Sequence, residues 1–321
     1  MLSRDDGCDA IVNFQTEKFP LINLTIKKNR SIKMTEISAA MVVKLRKMSG
    51  QGMMDCKQAL QEAEGDVERA MDILRKKGLA TLAKRAERET KQGLVVSKTV
   101  SDSKTAAMAT LCCETDFVAK NEDFIKAANT LAEYAIACPQ DEGIDNVLDT
   151  EIDEKKYRDI LTELVSRTGE KTQVGDYQKF TLDKAGFIST YIHFNEKVGS
   201  MVQIDTSDQS MADNVELKQT GLDIAMHITA TKPLALNKDQ LDPEIVAHEK
   251  AIFAEQVKNK PANIIDKIVE GKMKKFYSEN CLLDQPFVKD DSKTIAQVLE
   301  EAAKQAGGQA SITRFVRFEV G

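Results

Sequence analysis

The chain has 321 residues, 42% apolar and 30% charged, which fits a globular protein of two or three domains with ample core. A net charge of −6 disfavours wholesale binding to nucleic acid. No apolar run approaches the ~20 residues that span a bilayer. The six cysteines (8, 56, 112, 113, 138 and 281) form no C-x-x-C pair. They read as reduced thiols in a cytoplasmic protein, not as a disulfide frame or a zinc site.

Residues 1–33 carry early acids and one short apolar patch, "FPLINLTI". They match neither a secretory signal nor an organellar transit peptide. The expectation is an appended, disordered extension, with Met34 as the functional start. Residues 34–77 then read as three short helices. Ser38 caps the first, with Met41, Leu45 and Met48 on one face. "SGQG" breaks it, and Asp55 caps the second, which lines up Cys56, Ala59, Leu60 and Ala63. Gly65 ends that helix. Asp66 caps the third, with Val67, Ala70, Met71 and Leu74 at the same spacing. Met53 and Met54 in the first loop either complete this small core, the reading favoured on pattern alone, or offer an adaptable apolar contact. A basic connector spans 78–92 and continues the stretch "RKKGLATLAKRAERETK". It could touch RNA phosphates, but it lacks interleaved aromatics and is diluted by Glu87 and Glu89. A solvated, partly helical linker is the expected form.

The central region repeats itself. "GLVVSKTV…KTAAMATL" and "GFISTYIHF…VGSMVQI" share a layout in which Gly93 matches Gly186 and Met108 matches Met201. Each hairpin leads through a polar connection to a helix, 123–137 and 214–230, with Pro139 and Pro233 just beyond the ends. The spacing predicts two related α+β units, 93–185 and 186–321, forming one core. "EIDEKKYRDILTELVSRTGEK" reads as a helix inserted between them. Over 242–278, Ile245 and Ile252, then Val246 and Phe253, repeat at seven, and "NKP" makes a turn. Ile265, Val269, Met273 and Phe276 stripe the return helix. This is a coiled-coil-like hairpin whose residual apolar surface suits a second copy of the chain. "SKTIAQVLEEAAKQ" is a further helix. "ITRFVRFEVG", with Val316, Phe318 and Val320 on one face, is a final strand.

Chemistry is nearly absent from the sequence. None of His193, His227 and His248 belongs to H-E-x-x-H, and "GEKT" (169–172) holds only a fragment of a phosphate loop. No catalytic set and no metal or cofactor site is expected. One feature resists that blandness. "ETDFVAKNEDF" places Phe117 on the connection between a buried strand and a helix, whereas the second unit has "DTSDQSMADNV" there. Two readings stay open on these residues: Phe117 folds back as a hydrophobic staple, or a partner covers it.

"KLRKMSGQGMMDCKQALQEAEGDVERAMDILRKKG" is similar to the N-terminal (UBA-like) module of the translation elongation factor Ts family. "TDFVAKNEDF" resembles that family's signature loop. "DIAMHITATKP", "IVEGKMKKFYSENCLLDQPFVKDDSKTIAQVLEE" and "RFEVG" follow in the family's order. The resemblance runs from Met34 to Gly321. It implies a guanine-nucleotide exchange factor for elongation factor Tu, acting by protein binding without covalent catalysis and binding no nucleotide itself. Release of GDP and Mg²⁺ from the partner would let GTP bind. The resemblance places Thr115, Asp116, Phe117, Val118, Met53, Met54 and His193 at the partner contact, and assigns possible self-association to the hairpin. An RNA- or ribosome-associated binding protein is the alternative.

Overall fold

The computed structural model describes residues 37–321, so the expectations for residues 1–33 and for Met34 lie outside the described residues. α1 (Ala39–Ser49) begins where Ser38 accepts the Met41 N–H and ends at Gly50, whose φ of 67° suits glycine. Its inner face is Val42, Leu45 and Ser49, with Met41 partly buried against the same core; Met48, expected there, is exposed. The Ser49 hydroxyl makes that seam tolerable by donating to the Leu45 carbonyl at 2.8 Å. α2 (Met53–Glu62) starts three residues earlier than expected. Gly52 is therefore its N-cap, and Asp55 falls in the first turn, where its charge suits the helix dipole. Asp66 does cap α3 (Val67–Lys84), accepting the Glu68 and Arg69 N–H groups.

α3 overruns the expected end at Lys77 and passes through Gly78. The missing side chain is used there: a Cβ on Gly78 would lie 2.7 Å from the Thr162 carbonyl oxygen. The glycine thus lets α3 pack closely on a helix of the central region, and this contact outweighs the helix penalty of glycine.

The first half of the core contains β1 (Gln92–Thr99), β2 (Thr105–Cys113), the single turn α4 (Asp116–Ala119) and α5 (Glu122–Ala137). α6 (Ile144–Asp149), the ladder β3 (Glu151–Ile152)–β4 (Lys155–Lys156) and α7 (Tyr157–Thr168) follow, and β5 (Thr172–Thr181) returns to pair with β2. The helix against Gly78 is α7. The second half repeats the plan with β6 (Gly186–Ile192), β7 (Val198–Thr206), α8 (Gln209–Ala212) and α9 (Val215–Thr231). Its insertion contains α10 (Pro243–Gln256), α11 (Ala262–Asn280), β8 (Pro286–Phe287), β9 (Asp290–Thr294) and α12 (Ile295–Gln305). β10 (Ala310–Glu319) then closes on β7. The architecture is α+β: an N-terminal helical segment and a core of two three-stranded antiparallel sheets, β1-β2-β5 and β10-β7-β6.

The sequence repeat is a structural one. Gly93 pairs with Cys112 and Met108 with Ser97; Gly186 pairs with Asp205 and Met201 with Thr190, the same register at equivalent positions. A side chain on either glycine would overlap a backbone carbonyl oxygen of the neighbouring strand, of Leu111 or of Ile204. The halves also bond reciprocally. Val95 N–H donates to Glu196 O at 2.7 Å and its equivalent, Ile188 N–H, to Ser103 O at 2.8 Å. The two acceptor residues share a left-handed φ, 59° at Ser103 and 56° at Glu196. Leu182 N–H on Lys104 O and Val320 N–H on Lys197 O complete this pseudo-two-fold arrangement. Val95, Met108, Phe180, Ile188, Met201 and Val320 fill the space between the sheets. α5 covers the outer face of the first sheet with Phe124, Ala128 and Leu131, and α9 the second with Leu217, Ile224 and Ile228. Cys112 and Cys113 enter opposite layers, as alternation requires.

Three strand regions escape the pattern reading: β5, the β8–β9 ladder and the β3–β4 ladder, which takes the start of the stretch expected to be helical, so that α7 begins only at Tyr157. In the hairpin, Val246, Phe253 and Val257 meet Ile265, Val269, Met273 and Phe276. Ile245 and Ile252, expected in the seam, are exposed. The helices meet along one heptad stripe, and the adjacent one is left over. Among the described residues no helix is long and apolar enough to cross a membrane.

Candidate functional site

The segment from Glu114 to Asn121 is built from beneath. Thr115 is the N-cap of α4, its hydroxyl accepting the Val118 N–H at 3.4 Å. Glu170, from the α7–β5 junction, accepts both the Thr115 N–H (3.1 Å) and its hydroxyl (2.8 Å). Glu114 accepts Arg85 on both carboxylate oxygens at 2.7 and 2.9 Å, and also the Lys171 backbone N–H at 2.7 Å. Burial opposes ionisation of Glu114, but the Lys171 N–H, Arg85 and Arg88 outweigh it and hold its carboxyl below the usual carboxylate range. Val118 packs on the first core layer, and Ala119 is buried.

With both flanks anchored, two side chains project. Phe117 is 83% exposed, which overturns the staple reading: the ring covers nothing in its own chain. Asp116 is half-exposed beside it. The Lys120 ammonium, hydrogen-bonded to it at 2.8 Å, keeps its carboxyl below the usual range, with a smaller push from Lys197. An exposed phenylalanine on a single braced helical turn is unusual because nothing local rewards its position.

His193 lies at the β6–β7 turn, half-buried, with the Tyr191 hydroxyl 3.2 Å from its Nδ1. The adjoining strand β1 bonds this turn and contacts α4, so His193 belongs to the same end of the core as Phe117. Met53 and Met54 open α2 and are exposed, 41% and 74%; they do not complete the small helical core. That core closes on Leu45, Cys56, Leu60 and Leu74 without them.

The sequence reading missed the brace. "GEKT" is no phosphate loop; its Glu170 and Lys171 hold the Glu114–Thr115 backbone. It also missed Phe194, next to His193 and 89% exposed. The signal available for both was a polar or aromatic residue in a turn, which carries no orientation. The basic connector is largely committed within the chain. Arg85 and Arg88 pair with Glu114, and the Lys171 ammonium caps the Ala86 and Arg88 carbonyls at 2.7 and 2.9 Å. Of the two core histidines, His227 is fully buried and bonded on both nitrogens, to Gln285 and to the Val288 N–H.

Comparison with known proteins agrees with this architecture. The family model Elongation factor TS matches residues 114–321. Elongation factor Ts of Nitratiruptor sp. is 41% identical over 287 residues, covering 89% of this chain and 93% of the relative. That of Clostridium botulinum (strain Alaska E43) is 40% identical over 288 residues, with 89% and 93% coverage. That of Lawsonia intracellularis is 39% identical over 291 residues, with 89% and 99% coverage. The matched family is one of translation elongation factors. The chain belongs to the elongation factor Ts family.

Proposed function

We propose that this chain is a guanine-nucleotide exchange factor for elongation factor Tu, which loosens GDP and Mg²⁺ from the GTPase so that GTP can bind. The observation that carries the reading is Phe117, 83% exposed on a turn held by Glu170 and Glu114. Asp116 and Phe117 enter the partner near its metal-binding side, and Thr115 and Val118 set their direction. Met53, Met54 and His193 supply further contacts. The chain binds no nucleotide and forms no covalent intermediate. The outward Ile245 and Ile252 of the hairpin suit self-association.

A binder shifts an equilibrium only by its differential affinity for two states, and linkage makes the effect reciprocal. Weakening GDP by ~10⁴-fold requires about 5.5 kcal/mol of preference for the nucleotide-free partner. Burying one phenylalanine supplies roughly 1.5–3 kcal/mol. The loop therefore needs the helical module and the second half of the core to act with it.

The test is release of labelled GDP from elongation factor Tu with and without this chain. Acceleration that saturates with the factor is expected. An unchanged release rate at high factor concentration would overturn the reading.

A further inference from the structure

Among the described residues Phe194 is the most exposed large apolar side chain, 89% exposed, and nothing in its own half accounts for it. Its setting is rigid. The His193 ring packs at 4.3 Å against it, and His193 is itself held by the Tyr191 hydroxyl. The turn closes through His193 N–H on Val198 O and Glu196 N–H on His193 O, at 2.9 and 2.8 Å. Glu196 O and Lys197 O then receive Val95 N–H and Val320 N–H, tying the turn to the other half and to the last strand. A side chain presented this way loses little further conformational freedom on binding.

The pseudo-two-fold decides where that turn lies. Each half offers its hairpin turn to the first strand of the other half, so the turn of the second half sits beside β1 of the first. The Lys197 ammonium donates to Gln92 Oε1 at 2.6 Å, and Gln92 pairs with Cys113, one residue before the Phe117 segment begins. Two isolated exposed phenylalanines thus flank the same strand end, one from each half. The turn related to Phe194 by the repeat, Val100–Lys104, carries no aromatic residue. A groove of about 360 Å³ beside His193, lined by Tyr191, Val198, Met226 and Val288, adds to the apolar surface on this side of the turn.

We infer that Phe194 is a second anchor for the same GTPase partner: it sets the affinity of the complex, while Phe117 acts on the nucleotide site. This rests on the exchange reading above. The partner surface it fits is an apolar socket contiguous with the one that receives Phe117. An anchor that contributes equally before and during nucleotide release changes the half-saturating concentration and leaves the maximal rate alone.

The experiment is GDP release from elongation factor Tu as a function of factor concentration, for the full chain, Phe194→Ala, Phe194→Tyr and Phe117→Ala. Phe194→Ala is expected to raise the half-saturating concentration by ~10-fold or more, the scale of a buried aromatic anchor, with an unchanged maximal rate. Phe194→Tyr should restore most of the loss, and Phe117→Ala should lower the maximal rate instead. A Phe194→Ala titration that superimposes on the parent, with Phe117→Ala impaired, overturns the anchor and leaves the exchange reading intact. No acceleration by the parent chain removes both. Melting curves of the Phe194 variants should match the parent; a large drop would assign the ring to folding and also overturn the proposal.

Discussion

The segments Glu114–Asn121 and Ser207–Asn214 occupy the same place in the two halves. Thr115 and Asp208 are both N-caps, accepting from Val118 and Met211; Asn121 and Asn214 cap the long helices that follow. Ala119 and Ala212 are both buried. The difference lies in what projects, in one brace and in one buried side chain. The first half presents Asp116 and Phe117 where the second has Gln209 and Ser210, and it adds the Glu170 brace. The second half instead buries Met211, at 1% exposure, at the position held by the half-buried Val118 in the first. The backbone device is thus sufficient without an aromatic residue, and Phe117 is surplus to folding.

The sharpest way to break the symmetry is at its hinges. Gly93→Ala and Gly186→Ala should each destabilise by ~3 kcal/mol or more, because a Cβ would meet a ladder carbonyl and φ is 154° and 151°. Similar losses are expected from denaturant titration of both. If only one were severe, the halves would not share this close approach.

Phe117→Ala comes next, with its effect on function and not on stability. Unfolding should change by no more than about 0.5 kcal/mol, the scale of an exposed substitution. GDP release should fall by roughly 30-fold, as for an interface side chain worth about 2 kcal/mol. The mirror substitution, Ser210→Phe, should alter neither quantity. Severe destabilisation by Phe117→Ala, with normal exchange per folded molecule, would restore the ring to this chain's own core.

Glu170→Ala tests the brace that the second half lacks. Losing two hydrogen bonds to Thr115 should cost about 1–2 kcal/mol and slow exchange severalfold, since α4 would no longer be held in one direction. Normal exchange would show that the Thr115 cap alone positions Phe117.

The repeat, the cap residues Ser38 and Asp66, and the continuous burial of β2 were legible in the sequence because each is a local rule: spacing, a short polar side chain, an unbroken run of small and apolar residues. What was not legible depends on distant partners. β5 is a mixed polar strand whose identity comes from pairing with β2. α3 continues through Gly78 only because α7 lies against it. In the hairpin, two heptad stripes were equally regular, and the facing helix selected Val246 and Phe253. The candidate site divides in the same way. Asp116 and Phe117 stood out against the polar connection of the other copy. The Glu114–Arg85 and Thr115–Glu170 bonds and the exposure of Phe194 required the tertiary fold.

The smallest expected effect concerns pH and again sets one half against the other. Tyr134 on α5 and His227 on α9 are equivalent in the repeat, and each ties its helix to the following insertion. The Tyr134 hydroxyl donates to the Lys155 carbonyl at 2.8 Å; His227 Nε2 meets Gln285 Oε1 at 3.0 Å while Nδ1 accepts the Val288 N–H at 3.2 Å. Those partners specify a neutral imidazole. Burial lowers the His227 pKa from 6.5, opposed by the weaker effect of the Gln285 bond, whereas burial raises that of Tyr134 from 10.0, away from neutrality. When a histidine pKa is lower in the folded state, the unfolded chain takes up the proton first. Its stabilising contribution is therefore complete above the unfolded value and is lost as pH falls through 6.5 towards the folded value. Melting temperature should thus decline on acidification from neutral pH, and the decline should be shallower in His227→Asn, which has no proton to gain there. His193 and His248 remain in both proteins, so the difference between the two profiles isolates His227. Parallel profiles would mean that His227 is not held neutral by its partners.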